Sequence, residues 1–138
     1  MSQIILDDQL FDLDVLVPIA RWTTVQYLRE LRPNEVIKDE RVPVILRQTR
    51  QPTFVTIDMG FWSSSLCNAR YCIVCFPLRN DEQYRIPEML RNLLRIPQLQ
   101  SRALRMGKVI QAGHQQVRYW QLGAEGLQML QWPKSTHK

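Results

Sequence analysis

Five carboxylates stand at positions where chemistry could occur: Asp7 with Asp8, Asp39 with Glu40, and Asp58. The first pair closes the apolar run Gln3-Ile4-Ile5-Leu6, the second follows Glu35-Val36-Ile37-Lys38, and Asp58 closes Thr53-Phe54-Val55-Thr56-Ile57. Each lies where a strand would hand over to a helix. If the three strands are neighbours in one parallel sheet, Asp7, Asp39 and Asp58 meet at the same edge. Three carboxylates within a few ångströms do not all stay ionised without a cation. Mg²⁺ or Mn²⁺ would resolve this, because it takes oxygen ligands, keeps several waters and can orient one for attack on phosphorus. Phosphodiester hydrolysis is the expected chemistry, with Asp7, Asp39 and Asp58 as metal ligands. Asp7 and Asp8 are adjacent and point to opposite faces of an extended chain, so Asp8, like Glu40, is an auxiliary candidate. Each acid also has a plainer reading: Asp39 as a helix N-cap, Asp58 as a turn residue, Asp7 or Asp8 as a strand terminator.

The elements that must position these groups follow from hydrophobic spacing. Gln3 to Asp7 reads as a buried strand. Pro18 suits a first helical turn, and Ile19, Trp22, Val25, Tyr27, Leu28 and Leu31 predict a helix running to Arg32-Pro33. Glu35 to Lys38 predicts a short second strand. Val42, Ile45, Leu46 and Thr49 keep helical spacing behind Asp39 and Pro43. Thr53 to Asp58 and Tyr71 to Phe76 predict strands three and four, with a loop or short helix over 59–70 between them. Ile86 to Ile96 predicts another helix. Lys108 to Gln111 and Val117 to Gln121 flank the Gly113 connection and predict an antiparallel hairpin at the sheet edge. Alternating strands and helices predict an α/β domain with a mostly parallel sheet, whose ligands bind beyond the strand C-termini.

The 138 residues fit one domain, expected over 1–132, with 133–138 as a frayed tail. At 45% hydrophobic and 22% charged, the composition supports a packed core and excludes a disordered chain. No apolar run reaches the roughly 20 residues of a spanning helix, and the N-terminus lacks a signal-peptide layout, so a cytoplasmic location without membrane contact is expected. The net charge of +5 is a cancellation: residues 1–40 carry eight acids against four bases, a net of −4, and the remainder carries +9. Fourteen of the eighteen bases are arginine. Its planar fork matches two phosphate oxygens, so an Arg-rich half suits phosphodiester binding, although such surfaces also occur as solvated faces. Arg91 and Arg95, with Arg102 and Arg105 close behind, form a candidate nucleic-acid-binding stripe. Phe61 and Trp62, directly after Asp58, are candidate base-stacking residues. Cys67, Cys72 and Cys75 are expected to be reduced core thiols, since Cys72 and Cys75 face opposite sides of one strand.

The segments Ile5-Leu6-Asp7-Asp8-Gln9-Leu10, Asp39-Glu40-Arg41-Val42-Pro43-Val44-Ile45-Leu46 and Phe54-Val55-Thr56-Ile57-Asp58-Met59-Gly60-Phe61, in that order, resemble the short bacterial PIN-like family related to toxin nucleases of toxin–antitoxin modules. The resemblance spans roughly residues 4–121. It implies a three-layer α/β/α sandwich with a mostly parallel central sheet and a C-terminal edge hairpin, and Mg²⁺- or Mn²⁺-dependent cleavage of single-stranded RNA. Asp7 matches the family's first-strand acid, Asp8 its neighbour, Asp39 the acid before the second helix and Asp58 the acid after the third strand. Gly60 departs from the pattern, which usually places a second aspartate there. The resemblance thus implies either a ribonuclease or a catalytically degenerate nucleic-acid-binding or protein-interaction module, with an antitoxin-like protein or a second copy of the chain as further partners.

Overall fold

A computed structural model describes residues 3–134. Seven strands form one sheet in the order β2-β1-β3-β4-β5-β6-β7: β1 (Ile4–Leu6), β2 (Val25–Tyr27), β3 (Thr53–Thr56), β4 (Cys72–Cys75), β5 (Lys108–Ala112), β6 (Val117–Gln121) and β7 (Gln128–Leu130). The first five are parallel, and β6 and β7 continue the sheet as an antiparallel meander. The helices are short: α1 (Val17–Ala20), α2 (Val42–Arg47), α3 (Ile86–Leu93) and α4 (Arg102–Arg105). Among the described residues no helix is long and apolar enough to cross a membrane.

Both sheet faces are covered, which is why the central strands are apolar throughout instead of alternating. On one face Ile4, Leu6, Val55, Cys72, Val74 and Ile110 pack with Ile19 of α1 and with Ile86, Leu90 and Leu93 of α3. On the other, Ile5, Phe54, Ile73, Cys75 and Val109 pack with Val42, Ile45 and Leu46 of α2. Each fully buried aliphatic side chain contributes roughly 1.5–3 kcal/mol. Cys72 and Cys75 fall on opposite faces as their spacing requires, and both are fully buried. Burial pushes the Cys72 thiol up to about 12, far from a reactive thiolate.

The chain departs from the expected element order at two places. The helix expected from Pro18 to Leu31 ends at Ala20, and Val25–Tyr27 instead pairs with β1 in the register Ile4↔Val25 and Leu6↔Tyr27. The segment also carries a period-two pattern, Val25-x-Tyr27, behind β-branched Thr23 and Thr24. Pairing with the free edge of β1 selects it over the helical one. The Tyr27 hydroxyl locks this edge by donating to the Leu10 carbonyl and the Asp12 carboxylate, at 2.7 and 2.6 Å. With β2 in the place beside β1, the segment expected as a strand at Glu35–Lys38 forms none. It is irregular, and Val36 is 88% exposed. At the other edge β7 extends the predicted hairpin to three strands, reached through Gly123 and Gly126 at φ values of 82° and 78° that L-residues rarely adopt.

Candidate functional site: a paired carboxylate edge

Asp7 and Asp58 are brought together by strand register. Leu6 of β1 pairs with Val55 of β3, so the next residues, Asp7 and Thr56, sit side by side at the C-terminal ends of adjacent strands. The Asp7 backbone N–H donates to the Val55 carbonyl at 2.9 Å, fixing that alignment. The Thr56 hydroxyl donates to Asp7 Oδ2 at 2.6 Å and accepts from the Asp58 backbone N–H at 2.9 Å. One fully buried hydroxyl therefore ties the two acidic residues into a single arrangement. Sequence reasoning missed Thr56. The available signal was a polar residue ending an otherwise apolar strand, between two candidate acids.

Burial pushes the Asp7 carboxyl above the usual carboxylate range. The bond from Thr56 and the Gln9 backbone N–H pull it down, and the negative charges of Asp8 and Asp58 push it further up. Asp8 is turned toward β2: its Oδ1 accepts from the Arg29 backbone N–H at 2.8 Å and lies 3.7 Å from the Arg29 guanidinium. No salt bridge among the described residues involves Asp7 or Asp58. Asp58 caps the short turn Met59–Phe61, its Oδ1 accepting from the Gly60 N–H at 2.8 Å. A Cβ at position 60 would lie 3.0 Å from that same oxygen, so a side chain there would crowd the capped carboxylate.

Asp39 is not part of this arrangement. Its expected place followed from a strand over 35–38. Without that strand it opens an exposed 3₁₀ turn, Asp39–Arg41, leading into α2. Its side chain makes no capping bond there, which also removes the plainer N-cap reading. Glu40 is exposed in the same turn. Among the described residues no group of three or more His, Cys, Asp or Glu side chains converges as a metal-holding set. The three-carboxylate donor set expected for Mg²⁺ or Mn²⁺ therefore does not fit these positions.

The candidate nucleic-acid residues differ in burial and in partners. Arg105 is 2% exposed and serves the fold: Nε donates to Thr53 Oγ1 at 2.9 Å and Nη1 to the Leu99 carbonyl at 3.0 Å. Arg102 Nη2 donates to the Arg50 carbonyl at 3.4 Å. Arg91 is exposed on α3, its guanidinium 5.8 Å from the centre of the Trp22 ring. Arg95 is exposed beyond the end of α3. These four residues thus do not form one stripe. Phe61 is a core residue, edge-on to Phe54 at 5.5 Å. Trp62 is half-buried, lies 5.8 Å from Trp120 and carries the Arg118 guanidinium at 5.8 Å from its ring centre. This aromatic–arginine group, four residues past Asp58, contains two members, Trp120 and Arg118, that only the folding of β6 against β5 supplies.

Fold and site together define an α/β protein with a mostly parallel seven-stranded sheet and an acidic pair at the C-terminal ends of β1 and β3. No protein-family model matches the chain, and comparisons with curated proteins and with solved structures return no match.

Proposed function

We propose that this protein is a PIN-like α/β/α module that binds single-stranded RNA and has lost the catalytic centre of nuclease relatives. The single observation that carries this reading is the incomplete carboxylate edge: Asp7 and Asp58 are tied by Thr56, Asp39 stands outside in an exposed turn, and position 60 is glycine. Trp62, four residues past Asp58, supplies with Arg118 a stacking face and a cation, the pairing that single-strand binders use on bases and phosphates. The Arg-rich chain beyond residue 40 supplies the long-range attraction for a polyanion.

The test is fluorescence anisotropy with a labelled single-stranded oligoribonucleotide in chelator, together with a cleavage assay in Mn²⁺. Salt-sensitive binding without cleavage is expected, with Trp62→Ala and Arg118→Ala each weakening binding severalfold. Loss of neither variant's affinity would overturn the reading.

A second reading, a Mg²⁺- or Mn²⁺-dependent ribonuclease, would have to hold its ion on Asp7 and Asp58 without Asp39, and is favoured by one observation: no salt bridge among the described residues engages either acid. It predicts Mn²⁺-dependent cleavage that is abolished in Asp58→Asn. Cleavage that persists unchanged in excess chelator would exclude it.

A further inference from the structure

At the opposite end of the strands from the acidic pair, the entries to β3 and β4 enclose an open pocket of about 460 Å³. Arg47, Arg50 and Arg70 line it, with the polar side chains of Gln48, Thr49 and Gln51 between them and no carboxylate in the lining. Three features of the chain build it. Arg47 is the last residue of α2, which packs its apolar side on the Ile73 face of the sheet. Gln51 adopts φ 47°, in the left-handed region that non-glycine residues rarely adopt, where the chain turns from α2 toward β3. The parallel register Thr53↔Cys72, with the Cys72 N–H donating to the Pro52 carbonyl at 3.0 Å, then sets Arg70 beside Arg50 and Gln51.

None of Arg47, Arg50 and Arg70 takes part in a salt bridge among the described residues, and all three are exposed at the pocket rim. The Arg102 guanidinium, donating to the Arg50 carbonyl, adds positive charge behind the wall. Arg32 Nη2 bonds Gln48 Oε1, fixing that amide. Converging guanidinium groups with no acid to neutralise them repel one another, and an oxyanion accepting several N–H bonds would relieve that repulsion.

We propose that this pocket is a phosphate-binding site that takes the phosphate of a nucleotide or of an oligonucleotide backbone. Its volume lies within the range of small-ligand pockets, and its polar, cationic lining suits a phosphate better than an apolar group. The site is separate from the carboxylate edge and from the Trp62–Arg118 face, so it goes beyond the proposed function and stands or falls separately from it.

The test titrates AMP, inorganic pyrophosphate and a labelled single-stranded oligoribonucleotide directly into the full chain in chelator, with the first two also used as competitors of the third; a wild type that binds none of the three overturns the proposal. Three variants are compared with wild type: Arg47→Ala/Arg70→Ala, Arg47→Lys/Arg70→Lys and Trp62→Ala. The alanine pair is expected to weaken binding tenfold or more and to flatten the slope of log affinity against log salt by about 1.4, the value for two lost single-strand phosphate contacts. The lysine pair should keep most of the salt slope while losing affinity, because the charge remains and the bidentate geometry does not. Competition by AMP or pyrophosphate would assign the site to free phosphate ligands, and competition by oligonucleotide alone to a nucleic-acid backbone. An alanine pair that folds with wild-type thermal stability and binds all three ligands as wild type overturns the proposal. Loss of binding in the alanine pair with Trp62→Ala unaffected would leave the pocket standing and sink the stacking face instead.

Discussion

The two ends of β3 carry opposite electrostatics only about 13 Å of strand apart. At the C-terminal end Asp7 and Asp58 share the Thr56 hydroxyl, and burial raises the Asp7 carboxyl. At the N-terminal end Arg47, Arg50 and Arg70 surround an acid-free pocket. The acidic end is tightly hydrogen-bonded and partly desolvated, so its groups are held in place by the fold. The basic end is solvated and its guanidinium groups are largely uncommitted to carboxylates, so it has more capacity left for a ligand. The difference teaches that hydrogen-bond saturation, and not charge alone, separates a position serving the fold from one open to binding. Arg105 makes the same point among arginines: it enters the β3 terminus as well, yet its guanidinium is buried against Thr53 and the Leu99 carbonyl.

The contrast can be broken in several ways. The largest effect is expected at Arg105→Ala, which strands the Thr53 hydroxyl and the Leu99 carbonyl in the interior. A loss of roughly 2–4 kcal/mol in urea unfolding is expected, and a loss below about 0.5 kcal/mol would mean the buried bonds are replaced by water. Next comes the tenfold loss of oligonucleotide affinity in Arg47→Ala/Arg70→Ala, with little change in stability because both side chains are exposed. Thr56→Val keeps the volume of a fully buried residue while removing both bonds that tie Asp7 to Asp58. A destabilisation of about 1–2 kcal/mol by chemical denaturation is expected. If Thr56→Val were neutral, the tie between the two acids would carry no energy.

The smallest effect concerns pH. Because the folded-state pKa of Asp7 is raised above its ordinary 3.8, the folded chain holds that proton more tightly than the unfolded one. The group's contribution to stability is then fully present below the unfolded pKa and is lost as pH rises through the folded value. Asp7→Asn, which keeps an acceptor for Thr56, should flatten the pH dependence of the melting temperature as pH rises above the ordinary 3.8 and leave the neutral variant slightly more stable at pH 7. A steeper profile in the variant would reverse the assigned direction.

The runs Thr53 to Ile57 and Tyr71 to Phe76 were legible as strands because β-branched and aromatic residues, joined in the second by Cys72 and Cys75, fill them, and both supply strands of the sheet interior. Asp7 and Asp58 were legible as two of three expected acids, since each closes an apolar run; that they meet without Asp39 was not. The segment 18–31 was not. Its apolar residues satisfy a helical face and a two-residue strand alternation at once, and only the unpaired edge of β1 chooses between them. Asp39 moved with it, because its expected place at the sheet edge depended on a strand over 35–38 that does not form. Arg47, Arg50 and Arg70 could not be grouped from spacing, because Arg50 and Arg70 are twenty positions apart with the whole of β3 between them.

The amino-acid sequence by itself determined the alternation of strands and helices, the burial of Cys72 and Cys75 on opposite faces, and an arginine excess beyond residue 40. These are properties of local pattern, set by side-chain period and composition. Tertiary structure alone decided which acids meet, which arginines are buried and which gather round a pocket. The physical reason is register: pairing Leu6 with Val55 brings Asp7 to Thr56, and pairing Thr53 with Cys72 brings Arg50 to Arg70. Such pairings join residues tens of positions apart, and the energy that selects them comes from covering both faces of the sheet at once.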